Sequence, residues 1–177
     1  MAKLTRIKGD ATKPANAGEV GIVIPHVVND IRRWGSGFVN AITARFGETP
    51  RNEYMRWGES NDSDPNSSGI TDTVSRAFIL GAVQYVKVDN DITIANMLAQ
   101  HKTRDTNDLP RPPIRYGALA EAMQGVRRHC WGGKEIHCPK FGSDLAGGDW
   151  EVIEQMIQEI WVDAGVNVVI YEFEPQT

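Results

Sequence analysis

Residues 20–28 read VGIVIPHVV, and residues 29–42 read NDIRRWGSGFVNAI. The first stretch is a nearly continuous β-branched run, the pattern of a central strand buried on both faces. The second ends that strand at Asn29 and Asp30, then turns through Trp34-Gly35-Ser36-Gly37 into a helix expected over about 38–46. A fully buried strand feeding a helix is the repeating step of an α/β fold.

Working outward, LTRIK at residues 4–8 alternates and reads as a first strand. Pro50 suits the first turn of a second helix, where its missing amide hydrogen costs nothing; that helix carries Tyr54, Met55 and Trp57. Residues 60–69, with NDSDPNSSG, read as an exposed loop. Two strands are expected from Phe78 to Val88 and from Ile92 to Leu98, joined as a hairpin at Asp89-Asn90-Asp91. Three prolines between Asp105 and Pro113 exclude regular structure there, and a helix follows from about Ile114 to Cys130. After a short strand from Ile136 to Pro139, Asp149 is a good N-cap for a last helix. In that helix Trp150, Ile153, Met156, Ile157, Ile160, Trp161 and Ala164 form a core stripe, and Gly165 stops it before a final strand from Val168 to Phe173. The expected architecture is one domain over 1–177, a three-layer α/β/α sandwich around a mixed, mostly parallel sheet. Ligands in such sheets sit beyond the carboxyl ends of the strands.

The composition narrows the functional classes. The chain has 177 residues, 19 Lys+Arg against 23 Asp+Glu and a net charge of -4, which argues against general nucleic-acid binding. Cys130 and Cys138 follow His129 and His137, yet no CxxC pair exists, so they read as packed thiols and no metal is expected. The opening MAKLTRIKGD lacks the apolar core of a secretion signal, and no apolar run reaches the ~18 residues of a membrane span. A cytoplasmic protein with no membrane partner is expected; the oligomeric state is not fixed.

Three segments stand out together: Gly9-Asp10-Ala11-Thr12 after the first strand, Asn29-Asp30 with WGSGF at 34–38, and FGSDLAGGDW at 141–150 before the last helix. Glycines let backbone approach a bulky anion, and successive amides curled at a helix start donate to phosphate oxygens. Two such loops make a diphosphate cleft without lysine, which agrees with the acidic charge. Neither is a Walker motif, and Gly35 with Gly37 lacks the third glycine of the dinucleotide fingerprint. Each loop by itself reads more readily as a tight strand-to-helix turn.

Taken jointly, GDAT, HVVNDIRRWGSGFVNAI and PKFGSDLAGGDWEVIEQMI resemble the macrodomain family over nearly the whole chain, ending with VVIYEF. The resemblance is to the small members that process ADP-ribose-1''-phosphate or remove ADP-ribose from proteins. It implies ADP-ribose as the ligand and no cofactor. Asp10 would accept from the adenine amino group beside the Ala11 amide. The amides of Gly35, Ser36, Gly37 and Phe38, and those of Gly142, Ser143, Asp144, Leu145 and Ala146, would hold the diphosphate. Asn29 and Asp30 would face the distal ribose, unless the pair merely satisfies turn amides. Tyr171 either packs against the adenine or belongs to the core, and Trp34 either walls the cleft or anchors its loop.

The expected reaction is metal-independent hydrolysis of ADP-ribose-1''-phosphate to ADP-ribose and phosphate. The alternatives are removal of ADP-ribose from modified macromolecules, and binding alone. Asn29, Asp30, His101 and Asp144 are the candidate catalytic groups, with His26 more readily read as a packed histidine. Asp144 departs from the glycine of many relatives, and a carboxylate there repels phosphate unless it faces a hydroxyl or water. Relatives that use a lysine and an aspartate are matched here by Gln100 or a neighbour and by Ala146, which speaks against a lysine route.

Overall fold

The computed structural model describes residues 1–59, 77–105 and 110–173. The expected 60–69 loop and part of the proline-bearing segment lie outside the described residues. In chain order the elements are β1 (Leu4–Lys8), β2 (Ile22–Asn29), α1 (Phe38–Phe46), α2 (Thr49–Glu59), β3 (Val83–Asp89), β4 (Ile92–Gln100), α3 (Tyr116–His129), β5 (Glu135–Pro139), α4 (Trp150–Ile157) and β6 (Val168–Glu172). One six-stranded sheet has the order β1-β6-β5-β2-β4-β3. All neighbours run parallel except the β3–β4 hairpin. The fold is a mixed, mostly parallel α/β/α sandwich.

Alternation along the central strands divides the core. From β2 and β4, Ile22, Ile24, Val28, Ile94 and Leu98 pack with Ile42, Tyr54 and Trp57 of α1 and α2. Val23, Ala95, Met97 and Ala99 join Leu119, Met123, Ile153, Ile157 and Trp161 of α3 and the last helix. Burying each large aliphatic side chain stabilises the fold by about 1.5–3 kcal/mol, so both faces are needed.

This division positions the crevice. The helix after β2 covers one face and the helix after β5 covers the other, so adjacent strands β2 and β5 form a topological switch point. Their pairing includes only Ile22↔Glu135 and Val23↔Ile136. Beyond it stands Pro25, which has no N–H to offer a neighbouring strand. The two carboxyl ends are thereby left unzipped, with a loop on each rim.

Two expectations are corrected. The strand expected from Phe78 starts only at Val83, because Gly81 (φ 101°) and the Ala82 N–H to Ile79 O bond form a turn. That turn sends the Phe78 ring edge-on to Trp57 at 5.0 Å. The stripe of the last helix does not reach Ala164, which is exposed. Helix α4 widens into a π-helical turn over Gln158–Val162, with Asp163 N–H donating to Gln158 O. The extra residue rotates the apolar face, so Val162 is buried instead.

Candidate functional site

The carboxyl end of β2 carries an acid–base pair. Asp30 Oδ2 lies 2.7 Å from His101 Nδ1, and Asp30 Oδ1 accepts the Lys102 amide at 2.7 Å. His101 follows β4, and its own amide donates to Pro113 O, which fixes its backbone. A carboxylate oxygen accepts here, so Nδ1 is the donating nitrogen and Nε2 is the ring nitrogen this bond leaves free. The pair is half-buried, with side-chain exposures of 23% for Asp30 and 34% for His101.

Asn29 does not face the ribose position expected for it. Its Oδ1 accepts from Ile31 N–H, Arg33 N–H and the Tyr54 hydroxyl, while Nδ2 donates to Arg33 O. The Tyr54 hydroxyl lies within hydrogen-bonding reach of Asn29 O as well, so its single hydrogen is shared between the two oxygens. The register shifts here, with Asn29 opposite Gln100 and Ala99 of β4 left over, and these bonds hold the side chain inward, where it ties down residues 31–33. Burial, followed by the nearby Asp30 charge, pushes the Tyr54 hydroxyl well above its ordinary pKa. The turn-satisfying alternative describes Asn29, whereas Asp30 is bonded to His101 Nδ1 and the Lys102 amide.

Trp34 also resolves toward its structural reading. It is buried, donates from Nε1 to Thr43 Oγ1 at 2.9 Å and packs against Tyr54 and His26. It is an anchor under the first loop rather than a wall of the cleft. His26 is buried between β2 and β4 with Nε2 bonded to Asn96 Oδ1. Burial lowers its pKa to about 4 despite the Asn96 bond, so the ring is neutral at pH 7.

The loop it supports presents open donors. Gly35 and Gly37 have φ of 61° and 90°, and the N-cap of α1 has no side-chain hydrogen bond. Among the described residues no acceptor takes the amides of Gly35, Ser36, Gly37 or Phe38. The opposite rim, residues 142–148, is closed on itself by Gly147 N–H to Asp144 O and Gly148 N–H to Gly142 O. Its amides from Gly142 through Ser143, Asp144 and Leu145 to Ala146 likewise find no acceptor among the described residues. A Cβ built on Gly37 would lie 3.9 Å from Leu145 Cδ1, so the two rims meet. Asp144 is exposed on the second rim, Ser143 Oγ donates to Lys140 O, and buried Ala146 accepts the Ile114 amide.

The third segment lies at the end of β1. Asp10 Oδ1 accepts from the Thr12 amide and hydroxyl at 2.9 and 2.7 Å, and Ala11 is buried. One carboxylate oxygen therefore serves the turn, while Oδ2 has no partner among the described residues. Tyr171 is buried, with its hydroxyl accepting the Ala15 amide and bonded to His137 Nδ1. Its ring lies beneath Gly9, 3.6 Å from where a Cβ would be. Tyr171 is thus core and not a stacking surface. The exposed aromatic at this corner is Phe173, 73% accessible, next to Glu172, whose carbonyl accepts the Gly9 amide. The alternation that buries Tyr171 places Phe173 two residues on, past the sheet's edge; that period was the signal for it.

No family model matches the chain. A chromodomain-helicase-DNA-binding protein 1-like of Mus musculus is 30% identical over 176 residues, 94% of this chain. The chain spans 17% of that relative's length and 15% of its Danio rerio counterpart. A Bacteroides thetaiotaomicron protein of unknown function is 35% identical, with TM-score 0.81, over 96% of this chain and 98% of that one. A macrodomain protein from Streptomyces coelicolor is 29% identical, with TM-score 0.76, over 96% and 99% of the two chains. The chain belongs to the macrodomain family. The fold alone is shared with a Thermosipho africanus DarTG in complex with ADP-ribose, at 10% identity and TM-score 0.66 over 100% of this chain and 43% of that one.

This macrodomain places its crevice between β2 and β5, with main-chain donors on both rims and the Asp30–His101 pair at one end. Among the described residues no group of three or more His, Cys, Asp or Glu is arranged to hold a metal. Cys130 and Cys138 are buried thiols; burial pushes Cys130 up to about 12 and Cys138 higher still. No helix among the described residues is long and apolar enough to cross a membrane.

Proposed function

We propose that this macrodomain binds ADP-ribose across the β2–β5 crevice and hydrolyses ADP-ribose-1''-phosphate to ADP-ribose and phosphate. The carrying observation is the pair of adjoining rims, Gly35 to Phe38 and Gly142 to Ala146, whose amides have no acceptor among the described residues. Donors of this kind hold a diphosphate without lysine and without reorganising. Asp10 Oδ2 and the face of Phe173 mark the adenine end, and the Asp30–His101 pair marks the distal ribose.

The chemistry follows from the pair. His101 Nε2 takes a proton from water as the water oxygen bonds to phosphorus. The bond from phosphorus to the 1''-oxygen breaks, and that oxygen receives the proton. Asp30 holds the ring in the required tautomer and stabilises the imidazolium. Asp144, exposed on the second rim, is not needed for this step.

Calorimetric titration with ADP-ribose and an assay of phosphate release test the reading. Asp30→Ala and His101→Ala should each lower the rate by about 10²–10⁴ while ADP-ribose affinity stays within a few-fold. Binding without turnover selects a binding module. Release of ADP-ribose from a modified protein without phosphate release selects the macromolecular substrate. No heat of binding at millimolar ADP-ribose overturns the proposal altogether.

A further inference from the structure

Residues 112–115 cross from the end of β4 to the second rim as a short added strand. Ile114 pairs with Gln100 in an isolated antiparallel bridge. On the β4 side, His101 N–H donates to Pro113 O and Arg115 N–H donates to Ala99 O, both at 2.9 Å. On the other side, Ile114 N–H donates to Ala146 O at 3.0 Å. Side chains make the same crossing. A Cβ built on Gly142 would meet Ile114 Cδ1 at 3.2 Å, and one on Gly147 would meet Pro112 Cβ at 2.8 Å. Pro112 and Pro113 restrict the segment's own dihedrals. Arg115 Nη1 braces it by donating to Pro112 O at 2.7 Å and to Pro113 O at 3.1 Å.

These bonds form one chain of peptide units. The Pro113–Ile114 peptide takes the His101 N–H on its carbonyl and gives its own N–H to Ala146 O. The Ala146–Gly147 peptide then gives the Gly147 N–H to Asp144 O at 3.0 Å. The Asp144–Leu145 peptide ends the chain, and the Leu145 N–H has no acceptor among the described residues. Leu145 is exposed where the rims meet, its Cδ1 3.9 Å from a Cβ built on Gly37. Each unit accepts at its carbonyl and donates from its amide, all in one direction. An acceptor placed on the Leu145 N–H makes Asp144 O a better acceptor in turn, and each following bond strengthens by about 10–30%. At the far end stands the amide of His101, whose ring Asp30 orients.

We propose that Ile114 is a positioning residue whose peptide couples a diphosphate on the second rim to the placement of His101. This inference rests on the ADP-ribose reading above. The diphosphate then has two tasks, holding the substrate and seating the group that works on the distal ribose. The strap is built for this, because its peptides are planar and cannot absorb a displacement by twisting. A base misplaced by about 1 Å loses roughly a hundredfold in rate, so small movements of the strap are enough to govern the step.

The test follows backbone amides by NMR while the isotope-labelled full chain is titrated with ADP, and measures turnover of ADP-ribose-1''-phosphate alongside. ADP carries the adenine and the diphosphate but no distal ribose, so it does not reach the dyad. In wild type the amide protons of His101, Ile114 and Gly147 should move downfield together. I114P removes the bridging N–H. Its His101 shift should vanish and its kcat fall by roughly tenfold to a hundredfold, with ADP affinity within about threefold. I114A loses the packing on Gly142 but keeps the N–H, and should retain the His101 shift and most of kcat. A His101 shift that survives in I114P, or an equal loss of kcat in I114A, reduces the strap to packing and overturns the role. If the variants do not fold, wild type decides: a shift at Gly147 that fails to reach Ile114 and His101 overturns the coupling. Coupled shifts without phosphate release sink the phosphatase reading and leave the coupling standing. No ADP binding at millimolar dose overturns the ADP-ribose reading, and the coupling with it.

Discussion

The two glycine-bearing rims look alike in sequence and are built on opposite principles. In the first, among the described residues, Gly35 has nothing within 4 Å of a built Cβ and Gly37 only Leu145 at 3.9 Å, so positive φ calls for glycine there. That rim is supported from outside itself, by Asn29, Trp34 and the neutral ring of His26 beneath. In the second, a Cβ on Gly148 would sit 2.4 Å from Gly142 O, and one on Gly147 would sit 2.8 Å from the Pro112 side chain. There glycine answers to space, in addition to the positive φ of Gly142 and Gly147. Both loops present donors, but the first is laid over a scaffold and the second is part of it. Side chains added to the first should therefore act on binding, and those added to the second on folding.

The strongest way to break this contrast is Gly148→Ala. Its Cβ would meet main-chain oxygen rather than a movable side chain, and Ile153 Cδ1 stands 3.0 Å away on another side. We expect a loss of about 3 kcal/mol or more, in the range of overpacked cores, read as a lower midpoint in urea denaturation. A variant with wild-type stability removes the structural role assigned to the second rim.

The support of the first rim should fail in acid. His26 has a folded pKa of about 4, against an ordinary 6.5, because burial disfavours the charged ring. Between those values the unfolded chain binds the proton that the folded chain refuses, so stability falls as pH drops from 6.5 toward 4. The shift corresponds to roughly 3 kcal/mol across that window, and the contribution is constant above it. His26→Gln should flatten this part of the stability–pH curve; an unchanged slope assigns the acid sensitivity elsewhere.

How much of this could be read from the chain follows the same division. Local patterns found β1, β2, α1 and α2, the hairpin and the Asp149 cap, whose carboxylate accepts the Glu151 amide as expected. Positions of donors were legible because glycine spacing and strand ends are local facts. The directions of side chains were not. Asn29 is held inward by Tyr54 of α2, Tyr171 is claimed by His137 and Ala15 from distant segments, and Trp34 reaches Thr43 across the loop. The π turn that exposes Ala164 leaves the apolar spacing of the last helix almost unchanged until its final residue.

Gly37→Val tests the first rim from its exposed side. Forcing a β-branched residue to φ 90° costs about 1–3 kcal/mol of strain. The added methyls would also stand among the amides where the diphosphate is expected. ADP-ribose affinity should fall by tenfold or more, while the urea midpoint moves much less than for Gly148→Ala. Normal binding by Gly37→Val would misplace the loop.

Trp34→Phe should give the smallest effect and the sharpest reading of how the rim is held. Phenylalanine keeps part of the packing on His26 and Tyr54 but cannot donate to Thr43 Oγ1. Loss of one such bond costs about 0.5–1.5 kcal/mol, and Thr43 lies on α1, whose first residue Phe38 ends the run of donor amides that begins at Gly35. The expected result is a modest fall in stability with a two- to fivefold weaker ADP-ribose affinity, because the loop then orders partly on binding. Trp34→Phe, Thr43→Val should add little beyond the single change, since both remove the same bond. Additive losses in that cycle would mean that the indole acts on the ligand directly and that the wall reading of Trp34 was the correct one.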